Sequence, residues 1–187
     1  MITVAIPGRD TIEIEHIALD YNGTIAADGK LIDGIAGRIK KLSAFANVYI
    51  LTADTYGTVK AQCENIGAII KTFPRANAAD CKLEIVEALG GRTACIGNGF
   101  NDIKMFDIAG LSIAVMDKEG VCAALIPHAD VLVRSAEEAL DIALMAYEET
   151  KQRFMIGKED INSLTLSFLR CHQAYTFQHL LAVRKHL

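Results

Sequence analysis

Lys and Arg never run longer than a pair in the 187 residues, and the formal net charge is −4 with a pI near 5.7. A nucleic-acid groove needs clustered cations, so that class of partner is argued against. No apolar run approaches the roughly 18 residues of a membrane span. Met1 leads directly into strand-like residues 2–6, with no basic region and no small-residue cleavage site. Five cysteines (Cys63, Cys81, Cys95, Cys122 and Cys171) are odd in number and never spaced as a metal clip, and the five histidines form no ligand pair on a helix face. Scattered thiols of this kind suit a reduced, cytoplasmic protein, and neither residue type is assigned chemistry. Repeats, low-complexity tracts and flexible linkers are missing as well.

What is present is a chain 51% hydrophobic and 22% charged, enough for one compact α/β domain. Short apolar runs alternate with segments of helical period, the pattern of strand–helix units on a mainly parallel sheet. Residues 2–6 and 11–15 predict a hairpin around Pro7-Gly8-Arg9-Asp10. Strands are expected at 16–20, 47–51, 68–70, 92–96, 111–115 and 130–133, and helices at 33–46, 56–66, 79–89, 101–109, 119–126 and 135–147. The division is a core of residues 1–150 and a helical extension of 151–187. Read as a helix, the extension is apolar on more than one face, so it either packs over the domain or pairs with a second copy in a homo-oligomer.

Four spots fall at the carboxyl ends of parallel strands, where open α/β sheets place their sites. They are Asp20-Tyr21-Asn22-Gly23-Thr24, Thr52-Ala53-Asp54, Lys82 at a helix start, and Gly97-Asn98-Gly99-Phe100-Asn101-Asp102. Together they make a phosphoryl-transfer kit. An Asp attacks, a Thr and backbone amides hold phosphate oxygens, a Lys offsets charge, and an acid holds Mg²⁺. Taken singly, each piece has an ordinary explanation as a turn, a helix cap or a solvated charge. The last loop is not a dinucleotide fingerprint, because its sixth position is Asp102 rather than Gly.

The ordered set resembles the haloacid dehalogenase (HAD) superfamily and, within it, the phosphorylation domain of P-type ATPases. "LDYNGTI" is similar to the Asp-Lys-Thr-Gly-Thr signature at Asp20, Gly23 and Thr24, and "LTAD" to Thr-Gly-Asp, with Ala53 for glycine. Residues 81–115 are similar to the Lys-x-x-x-Val-x-x-Leu and Gly-Asp-Gly-x-Asn-Asp stretch. The resemblance spans residues 15–145 and implies a three-layer Rossmann-like fold, Mg²⁺ and an aspartyl phosphate on Asp20, formed from a phosphorylated small molecule. Asp20, Gly23, Thr24, Thr52, Ala53 and Lys82 would bind phosphate, and Asp20, the Asn22 carbonyl, Asn98 and Asp102 would hold the metal. Asp54 and Asn101 are second-tier site candidates, each with helix capping, before residues 56 and 103 respectively, as its ordinary reading. About 27 residues separate Thr24 from Thr52 and about ten separate Ile70 from Lys82, so neither a cap domain nor an ATP-binding domain fits.

Two positions depart from the pattern. HAD phosphatases usually carry an acid two residues after the nucleophile, and Asn22 cannot transfer that proton. Losing a positioned acid–base group costs about 10²–10⁴ in rate. The P-type ATPases also lack an acid there. Asn98 stands where the fourth motif has its first Asp and supplies oxygen without charge. The expectation is a capless, slow Mg²⁺-dependent phosphohydrolase or phosphotransferase. The alternative is a catalytically degenerate HAD domain that binds phosphate or a partner. A receiver-type phosphoacceptor fits poorly, for want of an acidic pair at the first strand.

Overall fold

The computed structural model describes residues 1–5, 10–54, 57–155 and nothing of the rest. The expected C-terminal extension therefore lies, from residue 156, outside the described residues. The strands are β1 (Ile2–Val4), β2 (Ile12–Ile14), β3 (His16–Asp20), β4 (Ala26–Ala27), β5 (Lys30–Leu31), β6 (Asn47–Thr52), β7 (Ile69–Thr72), β8 (Thr93–Gly97), β9 (Leu111–Val115) and β10 (Val131–Val133). The helices are α1 (Ile35–Leu42), α2 (Val59–Gln62), α3 (Ala78–Leu89), α4 (Ile103–Asp107) and α5 (Ala136–Met155).

Six strands form one parallel sheet in the order β10-β9-β8-β3-β6-β7. Ile17, Ala18 and Leu19 of β3 are wholly buried, as a central strand covered on both faces requires. One face carries α1, α5 and the β1–β2 hairpin, with Ile35, Ile39, Leu42, Ala139 and Leu140 in its core. The opposite face carries α3 and α4, with Val86, Met105, Phe106 and Leu125. The result is the expected three-layer α/β/α sandwich. On α5, Ala136, Ala139, Leu140, Ala143 and Ala146 recur at three- and four-residue intervals and are buried, so small side chains let the helix lie close on α1 and β1. Arg38 of α1 pairs one guanidinium edge with both carboxylate oxygens of Asp141 of α5, at 2.8 and 3.0 Å.

The structure corrects several sequence expectations. The helix expected at 119–126 does not form. Gly120 has φ +77°, which closes a turn, and Ala123–His128 is a 3₁₀ run containing Pro127, which cannot donate to a helical ladder. Helix 33–46 ends at Leu42, and helix 56–66 is described only as Val59–Gln62. The last helix runs unbroken from Ala136 to Met155, across residue 150. A second hairpin, β4–β5, follows the Asp20 turn and was not read from the sequence. Its signal is Asp28-Gly29, whose positive φ values of 49° and 72° suit a type I′ turn. Gln62 holds it down, donating to Gly29 O at 2.6 Å and accepting from Leu31 N at 2.7 Å. Among the described residues, this hairpin and the 3₁₀ turn Arg75–Asn77 are the only structured insertions at the two places where a cap would enter. No described helix is long and apolar enough to cross a membrane.

Candidate active site

The site assembles at the carboxyl edge of the sheet, around its central strand. β3 delivers Asp20 beside Leu51 of β6, which places Thr52 one residue further along the neighbouring strand. On the other flank β8 ends at Gly97 and turns through Asn98 and Gly99 into the 3₁₀ turn Phe100–Asp102. From α3, Lys82 shares the buried face with Ala78 and Val86, four residues to either side. A lysine on an apolar stripe needs anionic partners, because a buried unpaired ammonium is prohibitive.

It has two. Lys82 Nζ donates to Asp20 Oδ1 and to Asp102 Oδ1, each at 2.6 Å. Lys82 is 1% exposed, Asp20 7% and Asp102 0%, so the triad is almost dry. Burial works against the Lys82 charge, but the two carboxylates outweigh it and hold the ammonium protonated well above its usual range. Two carboxylates share that one cation. Burial, and then the charge of Asp20, push the Asp102 carboxyl up to about 6 against the pull of Lys82.

The second oxygen of Asp102 accepts the backbone N–H groups of Asn98, at 3.0 Å, and Gly99, at 2.9 Å. Both oxygens are thus engaged by protein donors, Oδ2 by two and Oδ1 by Lys82 alone, which leaves one lone pair on Oδ1. A Cβ on Gly97 would collide with this carboxylate, which explains glycine at the end of β8. Asn101 makes no capping bond to α4, whose N-cap position is Asp102, so the cap expected of it is absent.

In the loop after β3, the Thr24 hydroxyl lies 3.0 Å from Asp20 Oδ2 and 3.2 Å from Asn98 Oδ1. One proton cannot serve both acceptors at once. Gly23 N–H is committed to Ala26 O at 2.8 Å and Thr24 N–H to Tyr21 O at 3.3 Å, so these two amides shape the turn rather than await a phosphate. Gly23 has φ +78°, and a Cβ there would meet Asn98 Nδ2 at 2.6 Å, so glycine is required twice over. Asn22 Oδ1 is buried without a hydrogen-bond partner, as is the Tyr21 hydroxyl. Burial, aided by Cys63 and Asp54, pushes the Tyr21 hydroxyl up to about 12.

Asp54 behaves as a cap. Its Oδ1 accepts from Thr58 N at 3.1 Å and Val59 N at 3.3 Å, at the start of α2, while its own N–H reaches Thr52 Oγ1 at 2.9 Å. Ala53 lies between them, partly exposed. Sequence reasoning missed Gly120, whose carbonyl accepts Asn98 Nδ2 at 3.1 Å. A backbone carbonyl 22 residues away leaves no signal in residue type.

No group of three or more His, Cys, Asp and Glu side chains among the described residues is arranged to hold a metal. The two oxygens that the Thr24 hydroxyl reaches, Asp20 Oδ2 and Asn98 Oδ1, are nonetheless the hard donors Mg²⁺ prefers. Against one hydroxyl proton from Thr24, that lining has surplus acceptors. It fits a cation that keeps its waters and shares a substrate phosphate, and it does not form a complete protein cage.

The parallel sheet whose strand order reverses at β3 has the fold of several solved HAD-family structures. The deoxy-D-mannose-octulosonate 8-phosphate phosphatase of Haemophilus influenzae, solved in a cobalt-bound form, superposes with a TM-score of 0.61 at 17% identity, over 77% of this chain and 98% of that one. The 3-deoxy-D-manno-octulosonate 8-phosphate phosphatase of Moraxella catarrhalis, solved with magnesium, phosphate and a KDO molecule, gives 0.57 at 18% identity, over 83% and 93%. A HAD superfamily (subfamily III A) hydrolase of Legionella pneumophila gives 0.58 at 18%, over 76% and 88%. At these identities the likeness establishes the fold. In sequence, 39 residues are 54% identical to an uncharacterized protein of Methanocaldococcus jannaschii, covering 21% of this chain and 89% of that one, and the two belong to one family. No family model matches the chain.

Proposed function

We propose that the chain is a Mg²⁺-dependent phosphohydrolase or phosphotransferase that works through an aspartyl phosphate on Asp20. The observation that carries the reading is the Lys82 ammonium, 2.6 Å from both Asp20 and Asp102. A buried cation that only balanced charge would need one carboxylate. Here it anchors on Asp102 and faces Asp20, and its third N–H is available to a phosphoryl oxygen. Neighbouring folds described as octulosonate 8-phosphate phosphatases, one of them holding magnesium, phosphate and a KDO molecule, support a phosphorylated small molecule as substrate.

Asp20 attacks phosphorus, and the phosphorus–oxygen bond to the leaving group breaks. When Thr24 turns its proton to Asn98 Oδ1, Asp20 Oδ2 gains a free lone pair for that attack. Thr52, at the adjacent strand end, and the Ala53 amide bind the transferred oxygens. Asp20 through the oxygen that does not attack, Asn98 Oδ1, the Asn22 carbonyl and the remaining lone pair of Asp102 Oδ1 would hold Mg²⁺, while Asp102 also anchors Lys82. Mg²⁺, when bound, supplies charge that lowers the repulsion between the phosphoryl oxygens and Asp20. Asn22 Oδ1 can accept a hydrogen bond but gives no proton, so the leaving oxygen takes its proton from solvent. Water then attacks phosphorus, its proton goes to solvent, and Asp20 is regenerated with inorganic phosphate. The second step also lacks a base, so the phosphoenzyme is long-lived. The P-type-ATPase resemblance at Asn22 supports the same expectation.

The test is turnover of p-nitrophenyl phosphate and acetyl phosphate, with and without Mg²⁺, for wild type, Asp20→Asn and Asn22→Asp. Metal-dependent turnover abolished in the first variant and raised about 10²-fold or more in the second is expected. A hydroxylamine-labile phosphate on wild type but not on Asp20→Asn should accompany it. Binding of phosphate without turnover in all three proteins would favour the degenerate binding domain instead.

A further inference from the structure

Asn98 stands where the family pattern has an acid, and the simplest account makes it a weakened metal ligand. Its contacts show more. Nδ2 donates to Gly120 O at 3.1 Å, Oδ1 accepts from Thr24 at 3.2 Å, and its backbone oxygen accepts Cys122 N–H at 2.8 Å. The same amide fills the space beside Gly23 that a Cβ would need. One side chain thus fastens the loops that follow β3, β8 and β9. The third loop is shaped to be held. Gly120 N–H closes a turn on Asp117 O at 2.8 Å, and Glu119 Oε1 accepts from Asp28 N at 3.3 Å, at the tip of the β4–β5 hairpin.

A carboxylate at position 98 has no N–H to offer. It would set an anionic oxygen against the Gly120 carbonyl and add a third acid to a cluster with one ammonium. We propose that Asn98 is a clamp that holds the turn 117–122 against the nucleophile loop, a task for which an amide is needed. With no cap among the described residues, that turn is a wall of the open site, so the clamp sets how substrate approaches Asp20. The proposal rests on the functional reading only where it treats the site as one that admits substrate. The clamp itself is a property of the metal-free fold.

The experiment uses the full-length, metal-free protein with Asn98→Asp and Asn98→Ala. Limited trypsin cleavage after Lys118, followed by mass spectrometry, and hydrogen exchange of the Cys122 amide read the turn. Cleavage after Lys41, in the last turn of α1, reads global unfolding. Both rates at the turn should rise about fivefold in Asn98→Ala, the effect of one ordinary hydrogen bond, and further in Asn98→Asp, with Lys41 unaffected. Rates at Lys118 and Cys122 equal to wild type in both variants would overturn the clamp, and so would an equal rise at Lys41. If Asn98→Asp does not fold, Asn98→Ala carries the same test without added charge. Mg²⁺ titration of thermal stability, with inorganic phosphate present, reports separately on Asn98 as a ligand. The clamp and the metal reading can therefore fail independently.

Discussion

Replacing Lys82 with Met tests the electrostatic reading of the site most directly. The substitution nearly preserves side-chain length and suits the buried face of α3, so packing loss is small. What it removes is two charge-assisted hydrogen bonds of 2.6 Å and the counter-charge of two carboxylates that are 7% and 0% exposed. Breaking a buried ion pair by removing one partner costs about 3–5 kcal/mol. For a domain of this size each kcal/mol lowers Tm by about 2–4 °C, so a fall of about 6–20 °C is expected at pH 8. The pH dependence has a definite sign. The Asp102 carboxyl already sits near 6 in the intact triad, above its ordinary value, and without Lys82 it rises further. A carboxyl raised in the folded state weakens the fold progressively as pH climbs from its unfolded to its folded value, and that weakening vanishes only below the unfolded value. The penalty should therefore be full at pH 8 and shrink by pH 5. Thermal unfolding followed by circular dichroism at both pH values measures it, with Lys82→Met/Asp102→Asn as the partner variant. Removing one charge of each sign should recover more than half of the loss. A loss under about 1 kcal/mol at pH 8, or one that does not shrink at pH 5, would refute a desolvated triad.

Three further outcomes follow from the same contacts. Gly23→Ala places a Cβ at φ +78° against Asn98 Nδ2, so a loss of about 1–3 kcal/mol is expected in denaturant unfolding, and a neutral result would mean that the loop relaxes freely. Burial, aided by Asp54, pushes the Cys63 thiol up to about 11, and burial raises Cys95 still further. At pH 8 the native protein should therefore lose no fast-reacting thiol to Ellman's reagent when either is changed to Ala. Because these thiols titrate higher when folded, stability on this account is complete below about pH 9 and falls as pH rises through the folded values. Asp54→Ala removes the cap of α2 and should lower stability by about 1 kcal/mol in urea titration. A loss of p-nitrophenyl phosphate turnover out of proportion to the loss of stability would give Asp54 a role beyond the cap.

Much of the architecture was written locally. Apolar runs such as residues 17–19 and 111–115 can be satisfied only as strands covered on both sides, and the period of residues 136–146 only as a helix with one buried face. Because parallel strands end on one edge, Asp20, Thr52 and the loop after β8 that carries Asp102 reach a common edge, and Lys82 joins the two acids there from α3. The tertiary structure decided how the donors and acceptors pair there. Asp102 reads from the sequence as a metal ligand, and the fold adds three protein donors to it, Lys82 and two backbone amides. Gly23 and Thr24 looked like phosphate-binding amides, yet the tight turn after β3 took both N–H groups. Asn98 read as an acid lost, and only the carbonyl of Gly120 beside it showed what an amide does there. Period and spacing reflect where a side chain must point to leave water. Which partner satisfies a buried polar atom depends on groups that the chain brings back from far away, and residue type does not encode them.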